Sequence, residues 1–103
     1  MNKIKKIAVM TSGGDAPGMN AAIRAVVRTC AFHGIACSGV YRGYEGMIEA
    51  DFINLDARSV KGIINKGGTF LKSARSKEFR TKEGRLKAYN SLKAANIDAL
   101  VCI

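Results

Sequence analysis

The sequence predicts an α/β domain with a mostly parallel sheet, and three observations carry that prediction. An apolar run, Ile4 and then Ile7 to Met10, ends abruptly in Thr11-Ser12-Gly13-Gly14, the pattern of a buried parallel strand entering a turn. The period then changes. Ile23, Val26, Val27 and Cys30 fall at i, i+3, i+4 and i+7, the buried stripe of a helix running from Pro17 or Gly18 to about His33. Strand patterning returns at Ile35 to Tyr41 and again at Ala99 to Ile103. Strand, helix, strand is a βαβ unit, whose crossover is expected to be right-handed.

The remaining elements follow in order. Asp15 is the expected N-cap of the first helix and Gly34 its stop. The glycines of Gly43-Tyr44-Glu45-Gly46 close the second strand, and a short strand fits Phe52 to Leu55. A short helix is expected from Ser59, whose hydroxyl can cap it, until Gly67-Gly68 breaks the chain. From Thr81 a second long helix should run to about Ala95, burying Ala88, Tyr89, Leu92 and Ala95. Asp98 precedes the last strand at its edge. Ala99 to Ile103 has no turn, cap or polar tail after it, so it should be an exposed apolar edge, and functional residues in such folds sit just beyond these carboxyl ends. Within the 103 residues there is room for one small domain, with no repeat or linker.

Composition narrows the partners. Seventeen Lys and Arg against eight Asp and Glu give a formal net charge of +9, which attracts anions of any kind. Four Phe, three Tyr and no Trp are scattered rather than interleaved with the cations, so a base-stacking platform is disfavoured and small phosphates are preferred to nucleic acid. Cys30, Cys37 and Cys102 form no C-x-x-C pair, the usage of a reduced cytoplasmic protein. Ile7 to Met10 is too short for a signal-peptide core, and no run approaches the about 20 apolar residues of a membrane span. A soluble, cytoplasmic protein is the expectation.

The segment Thr11-Ser12-Gly13-Gly14-Asp15-Ala16-Pro17-Gly18-Met19-Asn20 places three glycines and two hydroxyls between a strand and a helix N-terminus. Glycine lets backbone N–H groups approach an anion, and the helix dipole adds partial positive charge there. It is neither the G-x-G-x-x-G nor the G-x-x-x-x-G-K-[ST] pattern, and spacing alone leaves phosphate binding and a tight strand-to-helix turn both open. Arg24 and Arg28 stand four apart on one helical stripe, a solvated basic face unless an anion lies between them. His33, the one histidine, reads as a helix-end surface residue rather than a general base.

The decapeptide resembles the signature of the bacterial-type 6-phosphofructokinase family. The resemblance continues through Ala21-Ala22-Ile23-Arg24, Gly43-Tyr44-Glu45-Gly46, Gly67-Gly68-Thr69-Phe70-Leu71, Ser73-Ala74-Arg75, Glu78-Phe79-Arg80 and Ile97-Asp98-Ala99-Leu100-Val101, in the family's order. It implies a three-layer α/β sandwich of which residues 1–103 are only the N-terminal part, an incomplete nucleotide-binding domain ending before the family's Gly-Gly-Asp-Gly turn. It implies transfer of the ATP γ-phosphoryl group to the 1-hydroxyl of fructose 6-phosphate with Mg2+, in a homotetramer. The metal-linked Asp is expected beyond Ile103, and the chain alone is expected to be inactive.

By that similarity Gly13 and Gly14 contact ATP phosphates, Tyr44 lies beside the nucleotide, and Ser76, Arg80 and Arg85 help to hold ATP. Arg75 lies between ATP and fructose 6-phosphate as the catalytic cation, because phosphoryl transfer needs positive charge aimed at the transferring group. Arg24 and Arg28, with Arg58 and Lys61, match an effector site for ADP or phosphoenolpyruvate. Ala57 stands where the family often has Arg, which weakens the case for the effector response. The rival readings are a pyrophosphate-dependent phosphofructokinase, a nucleotide- or phosphate-binding module without catalysis, and a basic nucleic-acid binder.

Overall fold

The computed structural model describes residues 4–12, 18–62, 70–72 and 76–103. Its elements are β1 (Lys6–Met10), α1 (Met19–Phe32), β2 (Ala36–Val40), α2 (Gly43–Ile48), β3 (Phe52–Leu55), a 3-10 turn (Glu78–Arg80), α3 (Lys82–Ala94) and β4 (Ala99–Cys102). They form one four-stranded sheet in the order β3-β2-β1-β4. β1 is parallel to both neighbours, Ile7 facing Cys37 on one side and Ala99 on the other. β3 runs antiparallel to β2, with Val40 opposite Phe52 and Cys37 opposite Leu55.

Alternation along β1 feeds two cores, as a period of two requires. Val9 joins Ile23, Val27 and Cys30 of α1, together with Leu55, Val60 and Leu71. Ala8 and Met10 point the other way, to Met47 of α2 and Ala88 of α3. The sheet is therefore the middle layer between α1 and the pair α2 and α3, as the α/β sandwich reading expects.

α1 begins at Met19, with Gly18 at its N-cap position at φ 95, while the sequence makes Asp15 the expected cap. Asp15 itself lies outside the described residues. Ile23 and Val27 are fully buried, and each such burial contributes about 1.5–3 kcal/mol, more than the about 1 kcal/mol of a typical side-chain cap. Packing thus holds α1. Its other end is as expected: Gly34 takes φ 68, its N–H donates to the Ala31 carbonyl, and the Ile35 N–H donates to the Cys30 carbonyl. This is a Schellman closure, with Ile35 packed against the core that holds Cys30.

α3 is capped by Thr81, whose hydroxyl accepts from the Gly84 N–H at 2.9 Å. Its buried residues are Gly84 and Ala88, with Leu92 and Ala95 partly covered, and the expected burial of Tyr89 does not occur: that residue is 58% exposed. A Cβ on Gly84 would strike the Glu78 carbonyl, so the stripe is rotated toward a close glycine contact. Gly43 to Gly46, read as strand-closing glycines, instead form the first turn of α2, and Gly46 presses against the Tyr41 carbonyl. Residues 57–62 form turns rather than the helix expected from Ser59, and 63–69 lie outside the described residues. Ser59 and Asp56 bond reciprocally, Ser59 N–H to Asp56 Oδ1 and Asp56 N–H to Ser59 Oγ, both at 2.8 Å.

β4 is an edge strand with Leu100 38% exposed, in line with the apolar edge expected there. The N–H groups of Lys5 and Lys6 donate to Asp98 Oδ2 and hold its carboxyl below the usual range, which aligns β4 with β1. Among the described residues, no helix is long and apolar enough to cross a membrane.

Candidate functional site

The chain leaves β1 toward β2 on one side and returns as β4 on the other, so the carboxyl ends of β1 and β4 form a topological switch point. Crevices of this kind are where open α/β sheets bind ligands. The ladder continues to the crevice rim, with the Ile103 N–H on the Met10 carbonyl and the Ser12 N–H on the Ile103 carbonyl, both at 2.9 Å. Gly13 and Gly14, the expected phosphate contacts, lie outside the described residues. Of their described flanks, Ser12 stands on this rim.

Three segments converge there. α2 brings Tyr44, whose ring stacks on Phe79 of the 3-10 turn with centroids 4.3 Å apart. The Tyr44 hydroxyl lies 3.7 Å from Cys102 Sγ. That contact raises the phenol's pKa, and a hydrogen bond with the Ser12 side chain opposes the shift. Ser76 Oγ accepts from the Phe79 N–H at 3.1 Å and so fixes the ring beneath Tyr44. Arg80 ends the 3-10 turn, and its carbonyl accepts from Arg85 Nη1 at 3.1 Å; both arginines are exposed. Tyr44, Ser76, Arg80 and Arg85, expected around a nucleotide, thus come from adjoining elements.

Arg75 lies outside the described residues, but the strap of residues 70–72 before it is anchored at three points. The Phe70 N–H donates to Asn20 Oδ1 at 2.6 Å, the Arg42 N–H donates to the Leu71 carbonyl at 2.9 Å, and the buried Thr11 hydroxyl donates to the Lys72 carbonyl at 3.2 Å. These bonds tie the strap to α1, α2 and the end of β1 together. Periodicity could not show Thr11, Asn20, Phe79 and Cys102, because their roles come from side-chain partners distant in sequence.

Arg24 and Arg28 lie elsewhere, on the outer side of α1, next in sequence to the buried Ile23 and Val27. Val60 packs in the same cluster as those two, so the turn bearing Arg58 and Lys61 lies against α1. Among the described residues none of these four cations has an ion pair. His33 caps the end of α1 and meets the exposed Phe32 edge to face, as a surface residue. Cys30 and Cys37 are buried thiols, and desolvation with the neighbouring Cys30 pushes Cys37 up to about 12. A depression of about 460 Å³ between Phe52 and Asn90, floored by Ala94 and Ala95, carries none of the expected site residues.

Residues 6–103 match the sequence model of the family described as Phosphofructokinase. The chain belongs to the phosphofructokinase family. It is 60% identical over 100 residues to an ATP-dependent 6-phosphofructokinase of Cytophaga hutchinsonii, and 58% identical over 100 residues to one of Halothermothrix orenii. In both pairs 97% of this chain aligns with 30% of the relative, so the chain spans about a third of the curated relatives it matches. A phosphofructokinase structure from Saccharomyces cerevisiae superposes with a TM-score of 0.91 at 51% identity, over 95% of this chain and 13% of that one. The family expectation for fold and kinship therefore holds.

The donor set at the rim suits a nucleotide: an aromatic stack, hydroxyls and two exposed arginines. It does not suit a divalent cation. Magnesium prefers carboxylate and water oxygens, and among the described residues no three His, Cys, Asp or Glu side chains come together.

Proposed function

We propose that this chain forms the nucleotide-binding portion of an ATP-dependent 6-phosphofructokinase, an enzyme that moves the ATP γ-phosphoryl group to the 1-hydroxyl of fructose 6-phosphate. The observation that carries the reading is the convergence of Tyr44, Phe79, Ser76 and Ser12 on the β1–β4 switch point, in a chain of this family. On this reading Gly13 and Gly14 line the phosphates, the Tyr44 ring flanks the nucleotide, and Arg80 and Arg85 add positive charge. Arg75 follows the anchored strap and meets the charge that develops on the transferring phosphoryl group. Among the described residues no group of three His, Cys, Asp or Glu side chains comes together to hold magnesium.

The whole enzyme is proposed to be a cytoplasmic homotetramer, with Arg24, Arg28, Arg58 and Lys61 forming an anion site for ADP or phosphoenolpyruvate. The packing of Val60 against α1 favours that grouping. The test is a chimera in which this chain replaces the matching first 100 residues of the Cytophaga hutchinsonii relative. ATP-dependent formation of fructose 1,6-bisphosphate is the expected result. Turnover with pyrophosphate instead of ATP would move the chain to the pyrophosphate-dependent branch, and a folded chimera inactive with both would leave a binding module.

A further inference from the structure

Two successive residues at the start of α2 occupy the left-handed region, its N-cap Arg42 at φ 65 and its first residue Gly43 at φ 58. Glycine adopts this backbone freely, whereas an arginine meets a steric cost there and stays only where its surroundings hold it. Arg42 is held on every side. Its N–H donates to the Leu71 carbonyl of the strap, and its carbonyl accepts from the Gly46 N–H at 3.3 Å. Its guanidinium Nη2 lies 2.5 Å from Glu49 Oε2 and 3.6 Å from Asp51 Oδ2. Glu49 is the C-cap of α2 and Asp51 immediately precedes β3. One side chain therefore spans α2 from its first flank to its last.

α2 has six residues, too few to be stable alone, and Tyr44 is its second residue. The side chain that brackets this helix therefore bears on where the Tyr44 ring lies. We propose that Arg42 is a positioning residue for Tyr44: its Nη2, placed against both Glu49 and Asp51, fixes α2, and its N–H locks that helix to the strap that leads to Arg75. Arg42 itself touches no substrate. Its left-handed backbone is what aims the N–H at Leu71 while the side chain turns back along α2. The step from Tyr44 to nucleotide binding rests on the function proposed above, but the placing of Tyr44 does not.

Cys102 reports that placing without any nucleotide, because it is exposed and the Tyr44 hydroxyl lies 3.7 Å from its sulfur. The buried Cys30 and Cys37 do not compete for a reagent. The experiment measures alkylation of Cys102 by iodoacetamide, an uncharged probe, in this chain and its Arg42→Gly, Arg42→Lys and Glu49→Gln variants. Exposed pairs are individually weak, so a rise in rate of about two- to fivefold is expected for Arg42→Gly. A smaller rise is expected for Arg42→Lys, which keeps one charged nitrogen toward the two carboxylates on a side chain of different reach. Arg42→Gly relieves the backbone cost, so its Tm should hold while the alkylation rate rises, a split that a purely structural role would not give. The Glu49→Gln change should add little in the Arg42→Gly background. An unchanged rate in Arg42→Gly, or one that rises only as far as Tm falls, overturns the proposal. ATP titration of the same proteins separates the two readings. Weaker binding in Arg42→Gly is expected, whereas no binding by the unaltered chain would sink the nucleotide reading and leave the alkylation result to judge Arg42.

Discussion

The two faces of the sheet are packed by different means. On the α1 face, large apolar side chains at helical spacing fill the core: Ile23, Val27, Val60 and Leu71 are fully buried, and α1 ends on a glycine. On the other face glycines let each helix close onto the backbone just before it. Gly46 rests on the Tyr41 carbonyl, Gly84 on the Glu78 carbonyl, and the largest buried helical side chain is Met47. The first face turns its chemistry outward, as the cations Arg24 and Arg28. The second leaves an aromatic stack at the crevice rim, with Tyr44 and Phe79 shared between α2 and the 3-10 turn. A face packed through glycine can hold rings where a ligand reaches them, but it has little slack if a glycine changes.

The largest test bears on the strap joining the faces, since Leu71 packs in the α1-side core while its carbonyl accepts from Arg42. If Arg75 meets charge on the transferring phosphoryl group, Arg75→Ala in the chimera should lower turnover about 10²-fold or more, with a smaller change in ATP affinity. Arg75→Lys should restore little, because lysine lacks the fork that can reach two phosphates together. Near-normal turnover in both would put the catalytic cation elsewhere. On the glycine-packed face, Gly46→Ala sets a Cβ against the Tyr41 carbonyl and should cost about 1–3 kcal/mol by overpacking. An unfolding curve matching that of the unaltered chain would show that α2 has room to shift.

The outer side of α1 should behave differently. Arg24→Ala with Arg28→Ala in the chimera is expected to weaken the response to ADP or phosphoenolpyruvate several-fold, from a typical coupling of about 1–3 kcal/mol. Turnover without effector should hardly move, because both residues lie away from the β1–β4 crevice. Effector curves that superpose on those of the unaltered chimera would remove these cations from regulation.

How much could be read in the sequence follows the same division. β1 and α1 are legible because Val9 on one, and Ile23, Val27 and Cys30 on the other, announce their period through buried apolar side chains. α3 was legible in extent but not in orientation. Its buried stripe begins at Gly84, which carries no hydrophobic signal, so Tyr89 was assigned inward although it lies outside with Lys93 Nζ 6.0 Å from its ring centroid. α2 was missed because Gly43 and Gly46 read as turn residues, whereas here they permit a left-handed start and a close approach. Tyr44, Ser76, Arg80 and Arg85 were assigned from family resemblance, and their adjacency is a tertiary fact that no local pattern encodes.

The smallest effect compares how the two long helices end. α3 closes as α1 does: the Asn96 N–H donates to the Lys93 carbonyl and the Ile97 N–H to the Leu92 carbonyl, the same pair of bonds that Gly34 and Ile35 make. Asn96 takes φ 60 where Gly34 takes φ 68. Asparagine tolerates this region better than most residues but not as well as glycine. Asn96→Gly should therefore stabilise the chain, by less than about 1 kcal/mol, because glycine also widens the unfolded ensemble and gives back part of the gain. Gly34→Asn should cost a similar amount. In a domain of this size, about 0.5 kcal/mol is a shift of roughly 2–4 °C in Tm. Opposite shifts in the two variants are expected, and equal losses in both would mean that the Asn96 side chain makes a contact that outweighs its backbone cost.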